Sequence, residues 1–418
     1  MTKHPIILFI ITNILAFGLI FFYLQPHDTY ILIAGAVVLS MSLITYFCIS
    51  HFRWGDRYLF IIASMLVVLG VAMLCRINYT IGVKQIVWYA IGIILFTISY
   101  MLYAHFHFWR NLQWTYFGAS VILFILTLIL GQRRGGATNW IIFGPISVQP
   151  SEIIKVLFAM FISCGFARQT EKRYHEIKEK YIINACVAIF CGFLILQREW
   201  GSTVVFYITY LIMLFIYSDG WGLISLNAAA LCAMSALAVK FVAHIQTRVG
   251  NWLNPFADPS NLGYQTTQSL FAIATGGFFG TGLGLGHPVF IPEVHSDFIF
   301  SAICEEMGVL GGFAIILLFM VLVYRGYKIC IIAQGYDKCV ATCITTIFGI
   351  QTFIIIGGVV NFIPLTGITL PFISYGGSSL TTTFISLGLL QAISRNAQLK
   401  YYSPSSQATD DNASEVTP

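Results

Sequence analysis

Apolar runs of roughly twenty residues recur along almost the whole chain, and that repetition constrains the fold more than any other feature. A helix of about this length crosses the hydrocarbon core of a bilayer. Twelve spans can be drawn, at about residues 6–24, 31–49, 58–75, 85–103, 114–130, 151–167, 182–196, 203–217, 223–242, 298–324, 339–360 and 378–394. Backbone inside lipid must satisfy its own hydrogen bonds, so spans of this length are read as α-helices rather than open strands. Composition agrees, with 58% hydrophobic and 9% charged residues against about 25% charged in a typical soluble domain. The expected fold class is an all-α, polytopic integral membrane protein of about twelve transmembrane helices.

Lysines and arginines orient such a chain, because they collect on the cytoplasmic side. With the N-terminus inside, the inner segments carry 14 of them and the outer connections six: Arg76, Lys84, Arg133, Arg134, Arg198 and Arg248. Both termini are therefore expected in the cytoplasm. The six outer cations stand out, since orientation does not require them. The formal net charge of +5 is small and scattered, so no nucleic-acid partner is expected. The ten cysteines form no CxxC pair and sit in or beside apolar runs, where they are expected to pack as small hydrophobes. The first run is long enough to span and lacks a small-residue cleavage site, so it is read as a helix rather than a cleavable signal.

Two outer connections are long, 131–150 and 243–297. The second contains a glycine-rich stretch, TGGFFGTGLGLGHP (275–288). A nucleotide-binding loop would need a strand before it and a helix after it in an α/β unit, so these glycines are read as close backbone packing or a re-entrant segment. The tail from Ser403 is polar and expected to be disordered.

Acids in or beside spans are the most informative residues, because an aspartate at the bilayer centre costs about 2.5–3.5 kcal/mol and marks a functional site by default. The densest group is IPEVHSDFIFSAICEEMG, 291–308. Pro292 suits a first helical turn, which would set Glu293 and Asp297 on one face about 6 Å apart along the axis, and Glu305 about 12 Å beyond Asp297. Asp297 is the candidate catalytic base, helped by Glu293. Its competing reading is a helix-end acid favoured by the dipole. Glu305 and Glu306 are read as structural partners of buried cations or backbone groups.

A second constellation is RRGGATNWIIFGPISVQPSEIIKV, 133–156. Pro150 again suits a helix start, and Lys155 follows Glu152 by three positions, as an ion pair on a helix would. A lysine inside the membrane usually serves something, and with Arg133 and Arg134 it can meet a phosphate through charge-assisted hydrogen bonds. A third element, LQREWGST (196–203), sets Glu199 at an outer helix junction. The fourth, NFIPLTGITLPFISYGGSSL (361–380), breaks its helical pattern at Pro364 and Pro371. That leaves Ser374, Tyr375, Ser378 and Ser379 near the outer surface, as a simple loop or as hydroxyls facing a sugar-like ligand.

These four elements, in this order and on one face, resemble the SEDS family (shape, elongation, division and sporulation) of FtsW, RodA and SpoVE. The resemblance rests on Gly136, Ala137, Trp140, Gln149–Glu152 and Lys155, on the PE–DFIF–EE–G pattern, and on NxxPLTGxxLPFISYGGSSL. It covers roughly 58–394, a ten-helix core at 58–396. Residues 1–57 then form an additional N-terminal helix pair and 397–418 a disordered cytoplasmic tail. The resemblance implies a peptidoglycan glycosyltransferase that polymerises lipid II at the outer face of the bacterial cytoplasmic membrane, in elongation, division or sporulation. It implies a class B penicillin-binding protein as partner and lipid II and membrane lipids as ligands. The family's catalytic aspartate falls on Asp297. Arg76, Arg133, Arg134, Lys155 and Arg248 are expected to hold pyrophosphates, with Glu199, Glu293, Ser374 and Ser378 also against substrate. Asn139 stands where many members have arginine, and QREWGST replaces QPDLGT, setting Glu199 for aspartate and Arg198 for proline. No organic cofactor is implied. His287 and His295 flank the acids and leave a divalent cation open, although no metal site is assigned. The rival readings are a lipid II flippase, an ion-coupled transporter, for which no internal repeat is visible, and a non-catalytic scaffold for a penicillin-binding protein.

Overall fold

The structure is a computed structural model that describes residues 4–401, apart from 24–28, 107, 135–136, 145, 172–176, 219, 260 and 262. Long helices account for all twelve expected spans: α1 (His4–Tyr23), α2 (Thr29–His51), α3 (Arg57–Ile77), α4 (Tyr79–His105), α5 (Gln113–Leu130), α6 (Pro150–Glu171), α7 (Ile177–Leu196), α8 (Trp200–Tyr217), α9 (Trp221–Phe241), α12 (Ile299–Ile332), α13 (Gly335–Val359) and α14 (Gly377–Tyr401). Two shorter helices, α10 (Ala243–Leu253) and α11 (Tyr264–Gly276), lie in the long connection before α12. Helix α14 continues past the expected boundary at 396, and the tail beyond residue 401 lies outside the described residues.

Local chemistry sets the turns. Asn78 alone separates α3 from α4, and its side chain accepts from the Thr80 and Ile81 amides while its own N–H closes α3 on Leu74. One residue thus caps two helices and reverses the chain. Asp56 caps α3 at the opposite end and also takes Arg325 through two hydrogen bonds. Helices α3, α6 and α13 are buried on most faces and form the centre, whereas α1, α4, α5 and α9 show much of their apolar surface, as expected where lipid supplies the apolar environment.

The connection 131–149 folds into a small antiparallel sheet, β1 (Gln132–Arg134), β2 (Ala137–Phe143) and β3 (Ile146–Val148), in that order. Arg133 pairs with Thr138 and Ile141 with Val148. The sequence alone marks this stretch only as a long outer connection. The Thr138 amide donates to the Gln197 carbonyl, which fixes the sheet against the α7–α8 junction.

The glycine-rich segment packs its backbone closely against the N-terminal part of α12, the first of the two expected readings. Thr281 and Gly282 amides donate to the Glu305 and Glu306 carbonyls, and Val309 donates back to Gly277. Gly308 has φ 68°, and a Cβ there would fall 2.5 Å or less from the Gly280 amide nitrogen and the Phe278 carbonyl oxygen, so only glycine fits. The 360–376 connection also turns inward. Its buried Leu370, Phe372 and Ile373 sink into the bundle, and two glutamines satisfy its backbone: Gln85 donates to Ser374 O (3.0 Å) and Gln351 to Thr369 O (2.8 Å).

Candidate active site

Connections from one end of the bundle enclose a cavity of about 1150 Å³. Its walls come from the start of α4, the β-sheet, the α7–α8 junction, α10, the segment before α12 and the 361–379 region. All four sequence elements therefore open onto one space.

Asp297 stands on its wall, two residues before α12 begins. Helix α12 starts at Ile299, not near Pro292 as expected. A single hydrogen-bonded turn precedes it, in which the Asp297 and Phe298 amides donate to the Glu293 carbonyl (3.1 and 3.4 Å). Pro292 lacks the continuous helix after it because Glu293 takes φ 52°. The turn still sets Glu293 and Asp297 close together, and both line the cavity. The 361–376 loop pins this turn: Ser374 Oγ donates to Ser296 O (2.6 Å), and the Tyr375 amide to His295 O (2.9 Å).

Across Gly367 the Arg248 guanidinium approaches Asp297. A methyl group at Gly367, whose φ is 70°, would lie 3.1 Å from Arg248 Nη2 and 3.4 Å from Asp297 Oδ2. Arg248 is aimed by a bond to Leu365 O (3.0 Å), and α10 is tied to the same loop by reciprocal bonds between Trp252 and Asn361. Burial pushes the Asp297 carboxyl up to about 6, and Glu293 adds to the rise, while Arg248 and Ser296 oppose it. A carboxylate so placed is a base that is ionised at neutral pH yet holds a proton better than an exposed aspartate.

Glu199 also reaches the cavity. It is buried and receives Gln149 Nε2 (2.7 Å) and Ser151 Oγ (3.1 Å). Burial raises its carboxyl, opposed by hydrogen bonds from Asn139, Ser151 and Gln149. Ser378 is buried in the lining with no hydrogen-bond partner for its hydroxyl among the described residues. Ser374 is absent from the lining, and its hydroxyl is occupied by Leu370 N and Ser296 O.

Two cations expected at the phosphates are engaged elsewhere. Lys155 donates to Glu152 Oε2 and Gln351 Oε1, both at 2.9 Å; Glu152 lines the cavity and Lys155 lies behind it. Arg76 pairs with Glu306 (3.2 Å) and donates to Gly284 O and Gly286 O, holding the glycine-rich segment. Arg133 and Arg134 lie on β1, and their side chains are outside the described residues. Of the two histidines, His295 faces Glu293 (3.7 Å) on the lining, while His287 is not among the lining residues and its amide donates to Glu305. Among the described residues no three metal-ligating groups gather. Arg198, His244 and Lys84 also line the cavity; the sequence marks Arg198 and Lys84 only as outer cations that orientation does not require, and carries no sign for His244.

Comparison with known proteins fixes the family. The sequence model of the FtsW/RodA/SpoVE family, described as cell cycle protein, matches residues 47–399. The chain belongs to this family. Among FtsW/RodA/SpoVE relatives, stage V sporulation protein E of Bacillus subtilis is 33% identical over 361 residues, covering 81% of this chain and 97% of that protein. The peptidoglycan glycosyltransferase RodA of Mycobacterium tuberculosis is 34% identical over 278 residues, covering 64% of this chain and 59% of the relative; the chain thus matches about three-fifths of that protein's length. A chain of a solved peptidoglycan synthase complex that coordinates polymerization and crosslinking is 25% identical with a TM-score of 0.70, over 82% of this chain and 98% of that one. RodA of Thermus thermophilus is similar at a TM-score of 0.60 and 25% identity, over 82% of this chain and 97% of that one. Like these relatives, the protein is a multi-pass, all-α membrane protein. The family match leaves α1 and most of α2 outside its bounds.

Proposed function

We propose that this protein is a peptidoglycan glycosyltransferase, polymerising lipid II at the outer face of the cytoplasmic membrane with both termini inside. The observation that carries the reading is Asp297, aimed with Arg248 into a large cavity and raised to about 6. The acceptor sugar's 4-hydroxyl oxygen forms a bond to the anomeric carbon of the donor. Its proton passes to the Asp297 carboxylate. The bond from that carbon to the donor's diphosphate breaks, and the diphosphate leaves with the electron pair. Arg248 faces the negative charge that develops, a preorganised cation in a site of restricted water. Glu293 holds Asp297's proton affinity up. Glu199, anchored by Gln149 and Ser151, and Ser378 offer hydrogen bonds to sugar hydroxyls or amides.

The name of the RodA relative as a peptidoglycan glycosyltransferase supports this activity. The likeness to a chain of a synthase complex supports a class B penicillin-binding protein as partner. A cavity built from one end of the bundle favours polymerisation over translocation of the lipid, which would need a polar path from the other side. The test is polymer formation from purified lipid II by full-length protein and by Asp297→Asn. Loss of polymer in a normally folded variant is expected, and wild-type yield from it would end the proposal.

A further inference from the structure

Arg198 occupies a backbone conformation that an arginine rarely accepts, φ 63°, between buried Gln197 and Glu199. Non-glycine residues persist there when the surroundings over-determine them, and such strain clusters at ligand sites. The turn is held by Arg198 N to Ile195 O and Glu199 N to Leu194 O, both 2.9 Å, and its consequence is to turn the arginine toward the cavity. The described residues place no carboxylate within ion-pairing distance of it. The same wall presents His244, one turn before Arg248 on α10.

We infer that Arg198 and His244 join Arg248 in an anion subsite that takes a diphosphate, the leaving group of the transfer. This rests on the glycosyltransferase reading for its role, though not for its binding chemistry. Three groups from two elements converge there: the α7–α8 junction supplies one arginine and α10 the other two. All three line the same cavity, and protonation of His244 is disfavoured by burial and then by Arg248 and Arg198. A polyanion placed between the two guanidiniums is attracted by both, a guanidinium matches two phosphate oxygens at once, and the His244 imidazole adds a hydrogen bond. The carboxylates facing the same space, Glu152, Glu199, Glu293 and Asp297, differ in their partners, and Glu152 is paired with Lys155. Glu199 is held by neutral donors, Glu293 approaches His295, and Asp297 is opposed by Arg248. Arg198 is left to the ligand.

The experiment uses full-length protein in nanodiscs, titrated by calorimetry with inorganic pyrophosphate and with orthophosphate. Pyrophosphate is expected to bind more tightly than orthophosphate. Arg198→Ala weakens pyrophosphate about tenfold, as loss of a charged hydrogen bond does. Arg198→Lys weakens it about threefold, since a point charge lacks the fork. Arg198→Gly suits the left-handed backbone and so separates lost binding from lost folding; it too is expected to bind about tenfold more weakly. His244→Gln weakens binding a few-fold, and Lys240→Ala, whose cation at the end of α9 is outside the lining, leaves it unchanged. In parallel, Arg198→Gly should raise the pyrophosphate concentration that half-inhibits lipid II polymerisation by the same factor. Equal pyrophosphate affinity in wild type and Arg198→Gly, or an equal loss in Lys240→Ala, overturns the subsite. Absence of polymerisation by wild type, with Arg198-dependent pyrophosphate binding intact, instead removes the enzymatic reading and leaves the subsite standing.

Discussion

Two acidic pairs sit within fourteen residues of each other, and their surroundings make them different chemistry. Glu305 and Glu306, inside α12, are consumed: Glu305 accepts the His287 amide at 2.7 Å, and Glu306 accepts the Gly284 amide at 2.9 Å and pairs with Arg76. Glu293 and Asp297, just before the helix, keep their carboxylates toward a large cavity. In the first pair, two backbone amides and one arginine meet the carboxylates, so the acids hold the glycine-rich segment in place. In the second, burial is only partly offset, and the excess appears as raised proton affinity on Asp297. An acid in a membrane segment marks architecture when its partners are internal, and chemistry when a partner is left for something that arrives.

That contrast is sharpest under substitution. Asp297→Asn is expected to lower polymerisation by at least about a hundredfold, the lower range for a positioned base, with an unchanged melting temperature in detergent. Glu306→Ala should do the reverse. It strands Arg76, whose partner side chain is 0% exposed, and lowers stability by about 3 kcal/mol, read by thermal melting, while protein that remains folded polymerises. Equal effects of the two on melting would erase the distinction. Gly308→Ala, forced to φ 68° without room for a Cβ, is expected to cost about 2 kcal/mol through the same contact with the glycine-rich segment. Smallest is Ser378→Ala, whose hydroxyl has no hydrogen-bond partner to lose among the described residues. Its stability should stay within about 0.5 kcal/mol of wild type, and KM for lipid II should rise a few-fold in steady-state assays.

The spans were legible because length and apolarity are local properties, and Asn78, Pro150 and the prolines of the 361–376 loop act within a few residues of themselves. Gathering of the four motifs was legible from their order along alternating helices. What escaped the sequence depends on distant partners. The Glu152–Lys155 pair is local and is legible in the sequence, but Gln351 on Lys155, and Glu306 and the glycine carbonyls on Arg76, come from distant parts of the chain. The β-sheet escapes the sequence because three-residue strands carry almost no periodic signal, and the β-branched and aromatic run between Gly136 and Gly144 is the one local sign of a strand. The span from 298 matches the start of α12, but the turn at Pro292 does not run on into it, because proline at a first turn is permissive rather than decisive and Glu293 takes a left-handed backbone. Gln85 and Gln351 read as ordinary helix residues, since nothing nearby shows that they satisfy a buried loop.

The central claim is that the Asp297 carboxylate takes a proton during transfer. The most direct measurement is kcat/KM for lipid II polymerisation against pH, which reports the free enzyme's essential groups. Activity should rise through a limb near pH 6 and level off above it, because the base works only when deprotonated. Glu293→Gln removes a charge that raises this pKa and should move the limb to lower pH, while Arg248→Ala removes one that lowers it and should move it higher. A profile that is flat from pH 5 to 8, or a limb unmoved by both substitutions, would contradict it.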